Sequence, residues 1–285
     1  MLLITGATGA VGSEIVRELV RKGIPVRAMT RNAAKLLAVN PGCEVVEGNL
    51  DDPISLEKAM NGVDRVFLLT SKTQQDRNVI AAANKAGTGH VVKLSTQEAG
   101  WVPVEGHGHW HREREVLIQS SGLTWTFLRP CMFMNFALSW LASIQSEGVV
   151  RAGGGQGRLG PIAPNDVAMA AVAALTDGGH ENKGYELTGP ELLSFEEMSK
   201  TMGKAMGKEV RYIPISDPEQ GTVFTNMGVS GYVVNGLVET FSLIRSGRFN
   251  SLTSDFEKLT GRSPQTFLDW ACSAVSQTRT TNVAK

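Results

Sequence analysis

Short apolar runs alternate with stretches of helical periodicity through the first half of the chain. Leu2–Thr5, Pro25–Thr30, Glu44–Glu47, Arg65–Thr70, His90–Ser95 and Leu123–Leu128 read as strands. The continuous Val-Phe-Leu-Leu inside Arg65–Thr70 is the pattern of a strand buried on both faces. Val11–Lys22 sets Val11, Ile15, Leu19 and Val20 on one helical face, and Gly23 ends it. Ser55–Met60, the alanine-rich Gln75–Ala86 and Arg112–Ser120 are further helices. Strands and helices in steady alternation predict a parallel sheet covered on both faces.

The texture changes after Gly148. Gly153–Gly157 reads as a flexible connecting turn, and Pro164-Asn165-Asp166 caps an alanine-rich helix running to Leu175. Lys183–Leu187 is a further sheet strand. Ser194 and Glu197 have capping-box spacing ahead of a helix to Met206, and Val210–Ile213 is a strand. Ser216/Glu219 and Ser254/Glu257 repeat that spacing, Ser263-Pro264 starts the last helix, and Thr278 to Lys285 reads as a frayed tail.

The turn between the first strand and the first helix carries chemistry: Gly6-Ala7-Thr8-Gly9-Ala10-Val11-Gly12. A dinucleotide pyrophosphate needs this order of strand, glycine-rich turn and helix. Gly6 allows the tight turn, Gly9 lets the backbone approach phosphate, and Gly12 lets the helix pack on the strand. The first helical turn then offers unpaired N–H groups and a positive dipole end. Gly6, Thr8, Gly9, Ala10, Val11 and Gly12 are the expected pyrophosphate seat. The fold class that follows is a Rossmann-type doubly wound α/β sheet with a smaller, mainly α C-terminal lobe. Residues 1–150 form the dinucleotide-binding domain, and 151–285 supply the remaining sheet strands and the substrate-side lobe.

An acidic residue at the end of the second strand would bind a ribose 2′-hydroxyl and repel a 2′-phosphate. This chain has Thr30-Arg31-Asn32 there, with Lys35 following, and a guanidinium pairs well with phosphate. NADP(H) is therefore the expected cofactor. Asn49, after the third strand, is placed to meet the adenine edge or to serve as an ordinary turn residue. Thr70, Ser71 and Ser95 end later strands, where ligand groups gather in open α/β sheets.

Composition narrows the partners. The 285 residues carry 28 Lys+Arg against 28 Asp+Glu, so no excess field holds nucleic acid or an anionic membrane. Cys43, Cys131 and Cys272 are odd in number and far apart, unlike a disulfide framework. The longest apolar stretch, Cys131 to Ile144, is broken by Asn135 and two serines and is too short to cross a bilayer. With its first strand at the very start, the chain is expected to be cytoplasmic and without a targeting segment. A homodimer is compatible with all of this.

The chain resembles the atypical short-chain dehydrogenase/reductases, specifically their NmrA-like branch. The residues that carry the resemblance are Thr5–Gly12, Thr30-Arg31, Glu47-Gly48-Asn49-Leu50-Asp51-Asp52, Ser121–Pro130, Ile162 and Asp166-Val167-Ala168. The His180–Lys183 stretch and the C-terminal layout resemble the quinone and triphenylmethane-dye reductases of that branch. Members of the superfamily typically carry a Tyr-x-x-x-Lys pair, its lysine four residues before a helix glutamate. Glu115 takes the glutamate's place, which puts His111 at the lysine position and His107 at the tyrosine position. Tyr185, Tyr212 and Tyr232 all lie elsewhere.

Three histidines fall in Gly106-His107-Gly108-His109-Trp110-His111. His107 and His111 are the candidate catalytic residues, as proton donor or relay. The alternatives are a polar loop rim, or a metal pair lacking any carboxylate or cysteine ligand; no metal is expected. Met132, Phe133 and Phe136, with Trp101 and Trp110, suit a flat aromatic ligand, although the Met132–Phe136 run equally suits helix core. The expected function is NADPH-dependent hydride transfer to a small conjugated or aromatic acceptor such as a quinone. The alternatives are a non-catalytic NmrA-like NADP(H) sensor and, less favoured, a sugar-nucleotide or isoflavonoid-type reductase.

Overall fold

The computed structural model describes residues 1–283. In chain order the strands are β1 (Leu2–Ile4), β2 (Val26–Thr30), β3 (Glu44–Glu47), β4 (Arg65–Leu68), β5 (His90–Leu94), β6 (Thr124–Pro130), β7 (Val149–Ala152), β8 (Arg158–Leu159), β9 (Lys183–Leu187), β10 (Leu193–Ser194) and β11 (Arg211–Pro214). The helices are α1 (Gly12–Arg21), α2 (Ala33–Val39), α3 (Pro53–Met60), α4 (Thr73–Ala86), α5 (Gly108–Gln119), α6 (Leu141–Glu147), α7 (Pro164–Thr176), α8 (Phe195–Met206), α9 (Asp217–Asn226), α10 (Gly231–Arg245), α11 (Asp255–Thr260) and α12 (Phe267–Val283).

A seven-stranded sheet runs in the order β3-β2-β1-β4-β5-β6-β9, and every adjacent pair in it is parallel. The order reverses between β1 and β4, which opens a crevice at the carboxyl ends of those two strands. Successive side chains along a strand point to opposite faces. Ile4, Ala28, Val92 and Leu128 therefore pack beneath α1, α7 and α11, while Leu3, Val66, Val91 and Phe127 pack beneath α3, α4 and α5. The Thr5 hydroxyl stitches the switch point: it donates to the Phe67 carbonyl (3.0 Å) and accepts from the Leu69 amide (2.8 Å).

A separate aromatic core, including Trp140, Phe195, Phe224, Phe241, Phe267 and Trp270, holds the C-terminal lobe. The Ser194 capping box forms as expected: its hydroxyl accepts from the Glu197 amide (3.2 Å), and its own amide donates to the Glu197 carboxylate (2.8 Å).

α5 starts at Gly108, so His109 and His111 sit on the helix and His107 is its N-cap residue, not part of a loop. Helix α10 was not foreseen, because its two glycines and its Val and Thr residues lower helix propensity. Packing of Val234, Phe241 and Ile244 into the lobe core overrides that preference. The Gly153–Gly157 turn is packed, not flexible: a Cβ on Gly154 would lie 2.0 Å from the Phe195 ring, and one on Gly157 would lie 2.1 Å from the Ile244 carbonyl. The last helix begins at Phe267, beyond Ser263-Pro264, and continues through the supposed tail to Val283. Ala284 and Lys285 lie outside the described residues.

Candidate active site

At the switch point the chain folds the Gly6–Gly12 turn against itself. Gly6 sits at φ +64°, a left-handed conformation suited to glycine, and its carbonyl accepts from the Gly9 amide at 2.9 Å. A Cβ on Gly12 would lie 2.2 Å from the Gly6 carbonyl oxygen, so α1 reaches the strand only because this residue has no side chain. The turn borders a cleft of about 580 Å³ lined by Gly6, Thr8, Arg31, Asn49, Thr70 and Ser71, among others. Val11 and Gly12 are buried behind it, supporting its floor.

Arg31 is exposed at this cleft, and among the described residues it makes no ion pair. The Lys35 side chain lies outside the described residues. The Asn49 side-chain oxygen accepts from the Asp51 amide (3.1 Å), which fixes the turn after β3. Asp51 also lines the cleft, but it is paired with Lys72 (3.6 Å) and accepts from the Gln75 amide (3.1 Å). Ser71 donates from backbone and hydroxyl to the Gln75 side-chain oxygen. A dinucleotide fits this arrangement, since the cleft joins a glycine turn, a helix N-terminus and an unpaired arginine at the carboxyl edge of a parallel sheet.

Leu69 and Thr70 also line a second space, a cavity of about 830 Å³ between the sheet and the C-terminal lobe. Met132, Phe133, Phe136, Trp110, His107 and His111 from the expected set form part of its wall. Phe224, Leu237 and Phe241, unmarked in the sequence, close it from α9 and α10. Phe136 is held among Trp140, Phe224 and Phe241 at 5.8–6.2 Å between ring centres. Trp101 is displaced from the expected wall. It packs edge-on against Phe249 at 4.8 Å, with the Arg248 guanidinium 4.7 Å over its ring.

Beneath the cavity lies a buried charge network that sequence reading missed. Asp76 on α4 pairs with Lys93 on β5 (2.8 Å) and Arg114 on α5 (3.0 Å), all three removed from solvent. The Thr70 hydroxyl donates to Asp76 (2.9 Å) and accepts from Lys93 (3.2 Å), so it is committed to this network. Arg114 also lies 3.4 Å over the Trp110 ring, fixing that part of the wall. Glu115 receives a bidentate fork from Arg129 (2.9 and 2.7 Å) and the Ser95 hydroxyl (2.6 Å). Ser95 thus lines the cavity with its hydroxyl already spoken for. The strand-end rule marks Thr70 and Ser95 in advance but does not distinguish a ligand contact from a buried hydrogen bond, and nothing local marks Asp76, Lys93 or Arg114.

The His107 and His111 rings lie 4.9 Å apart, edge to face. Burial, reinforced by the Arg114 charge, lowers the His107 pKa. Burial holds His111 well below the ordinary histidine range, with His107, Lys93 and Arg114 adding to the effect. His111 Nδ1 is sheltered and has no hydrogen-bond partner among the described residues. Both rings are therefore neutral near pH 7. Among the described residues, no group of three or more His, Cys, Asp or Glu side chains could hold a metal ion, and no helix is long and apolar enough to cross a membrane.

A sequence profile described as NAD(P)H-binding matches residues 6–178. The chain is 37% identical to a (4-alkanoyl-5-oxo-2,5-dihydrofuran-3-yl)methyl phosphate reductase of Streptomyces griseus, covering 95% of this chain and 96% of that one. It is 34% identical to an NAD(P)H azoreductase of Xenophilus azovorans, with the same coverage of both chains. An NADPH-dependent quinone oxidoreductase from Escherichia coli, crystallised with NADPH, matches with TM-score 0.85 at 26% identity, over 96% of this chain and all of that one. These near-full-length matches and the profile together place the chain: it belongs to the NAD(P)H-binding family, as an oxidoreductase.

Proposed function

We propose that this protein reduces a small, flat, conjugated acceptor such as a quinone, using NADPH in preference to NADH. The observation that carries the reading is the meeting of the two spaces at Leu69 and Thr70, which line both the dinucleotide cleft and the aromatic cavity. When bound, the reduced nicotinamide supplies a hydride. The chain's own residues bind, orient and exclude water.

In this reading Gly6, Thr8, Gly9 and Ala10 present backbone N–H groups to the pyrophosphate, while Val11 and Gly12 seat the first turn of α1 behind it. Arg31 takes the 2′-phosphate, with Lys35 as a second cation, and Asn49 meets the adenosine end. Ser71 lies along the cleft, and Thr70 and Ser95 shape the boundary with the cavity. Phe133, Phe136 and Met132 pack against the acceptor's flat face. His107 and His111, held neutral by burial, orient the acceptor by hydrogen bonding instead of supplying a proton from an imidazolium. Relatives named for azo and quinone reduction support an acceptor of this class.

The test is NADPH oxidation measured against a panel of quinones and azo dyes. Turnover of at least one flat conjugated acceptor, with NADPH favoured over NADH, is expected. Tight NADPH binding with no turnover of any acceptor would replace this reading with that of a redox sensor.

A further inference from the structure

Four titratable side chains among the described residues line the cavity: Glu98, His107, His111 and Cys131. Glu98 follows β5 on a short 3₁₀ turn, Gln97–Gly100, and is 3% exposed. Building on the acceptor site proposed above, we infer that Glu98 is the acid that protonates the acceptor during reduction.

Its hydrogen bonding accommodates a protonated carboxyl as well as a carboxylate. The Thr240 hydroxyl lies 2.9 Å from Glu98 Oε1 and 3.1 Å from the Gly236 carbonyl oxygen on its own helix. A hydroxyl has one hydrogen. When Thr240 gives it to Gly236, the contact with Glu98 calls for a proton on the carboxyl. Thr96 holds the other oxygen, Oε2.

No cation pairs with Glu98 among the described residues. From β6 and the residue after it, Cys131 faces it as a thiol pushed up to about 12, and Arg129 is held by Glu115. From β9, Glu186 approaches the far end of the turn at Gly100. From α5, Gly108 packs on the Glu98 backbone, with neutral His107 beside it. From α10 the contact is the Thr240 hydroxyl. Before α5, Glu105 is paired with Arg248. Burial accordingly raises the Glu98 pKa, as expected for a carboxyl in an apolar site. Its neighbours in the wall are neutral bases or a very weak acid, which leaves Glu98 as the competent donor.

The step balances. The acceptor takes two electrons and one hydrogen as hydride from NADPH, which is oxidised to NADP⁺. The electron pair driven onto the acceptor's carbonyl oxygen or azo nitrogen forms a bond to the proton as the Glu98 O–H bond breaks. The carboxylate then regains a proton from water after the product leaves.

The experiment compares wild type with Glu98→Gln, which keeps size and a hydrogen-bond donor but has no acidic proton. Binding of 2-methyl-1,4-naphthoquinone to the dinucleotide-free protein, followed by tryptophan quenching, should change by less than about twofold. Single-turnover NADPH oxidation by that quinone should slow by about 10²–10⁴-fold, the usual contribution of general acid catalysis. The thermal midpoint of wild type should also fall relative to Glu98→Gln as pH rises above the ordinary glutamate range, because the folded state holds that proton more tightly than the unfolded one. Unchanged single-turnover rates, or a midpoint difference independent of pH, would overturn the role of Glu98. Leu237→Trp, which fills the cavity from α10, should abolish quinone quenching. Quenching that survives this substitution would overturn the acceptor site itself, whereas lost quenching with undiminished Glu98→Gln turnover would overturn Glu98 alone.

Discussion

Arg31 and Arg114 carry the same guanidinium into opposite surroundings. Arg31 stands exposed at the cleft without an ion-pair partner, and its position after the second strand made it legible in the sequence. Arg31→Ala should weaken NADPH binding by about 1.5–3 kcal/mol, roughly ten- to a hundredfold, and leave NADH nearly unchanged. Calorimetric titration with both dinucleotides reads the difference; equal losses would remove the case for a 2′-phosphate contact. Arg114 is buried against Trp110, one turn earlier on its own helix, and against Asp76, and nothing local in its sequence announces the ion pair because Asp76 comes from α4. Asp76→Asn would strand Lys93 and Arg114 without their anion and should cost about 3–5 kcal/mol, seen as a lower denaturant midpoint. His111 adds a pH term of definite sign. Its folded pKa is depressed, so the unfolded chain takes up the proton first, and stability present above about pH 6.5 is lost as pH falls below it. His111→Asn should flatten that part of the stability profile.

At the level of elements, legibility followed how local the determinants are. The strand–turn–helix at Gly6–Gly12 is specified within about a dozen residues, and both its geometry and the need for Gly12 emerged from sequence. Gly12→Ala drives a methyl group toward the Gly6 carbonyl at 2.2 Å, so either the turn or α1 must shift. The expected outcome is a loss of about 1–3 kcal/mol in stability together with weaker NADPH binding, checked by melting with and without dinucleotide. Strands β3 and β9 match the limits expected from sequence. Helix α10 was missed because its glycines and β-branched residues argue against a helix until the lobe core is present to bury Phe241 and Ile244. The start of α5 was misplaced by four residues because Gly106 and Gly108 look like loop. Yet Gly108 is there so that the helix can pack on Glu98, where a Cβ would lie 2.6 Å from the backbone. A glycine that signals flexibility in sequence here marks close contact.

Across the whole molecule, the first half of the chain supplies the cleft and the second half completes the cavity, and the two share only a short stretch of wall at the end of β4. Cofactor affinity and acceptor affinity should therefore be separable by mutation. Leu237→Ala trims the cavity wall on α10 without touching the cleft, and at the transfer free energy of a partly buried leucine it should weaken quinone binding by about 1–2 kcal/mol. Arg31→Ala should do the reverse, affecting NADPH and leaving quinone binding to the dinucleotide-free protein intact. Neither residue contacts the other's partners, so a double variant should match Arg31→Ala in NADPH affinity and Leu237→Ala in quinone affinity, each within about 0.5 kcal/mol. The measurement is a cycle of the four proteins, with NADPH affinity from calorimetry and quinone affinity from tryptophan quenching. A coupling well above 1 kcal/mol would mean that a change at the cleft reorganises the cavity. The Asp76–Thr70–Lys93–Arg114–Trp110 network is the structural route for such a signal, because it ties the shared wall at Thr70 to the cavity ring at Trp110. Adding Thr70→Val to the cycle would then cut that route at its first hydroxyl, and the coupling should fall with it.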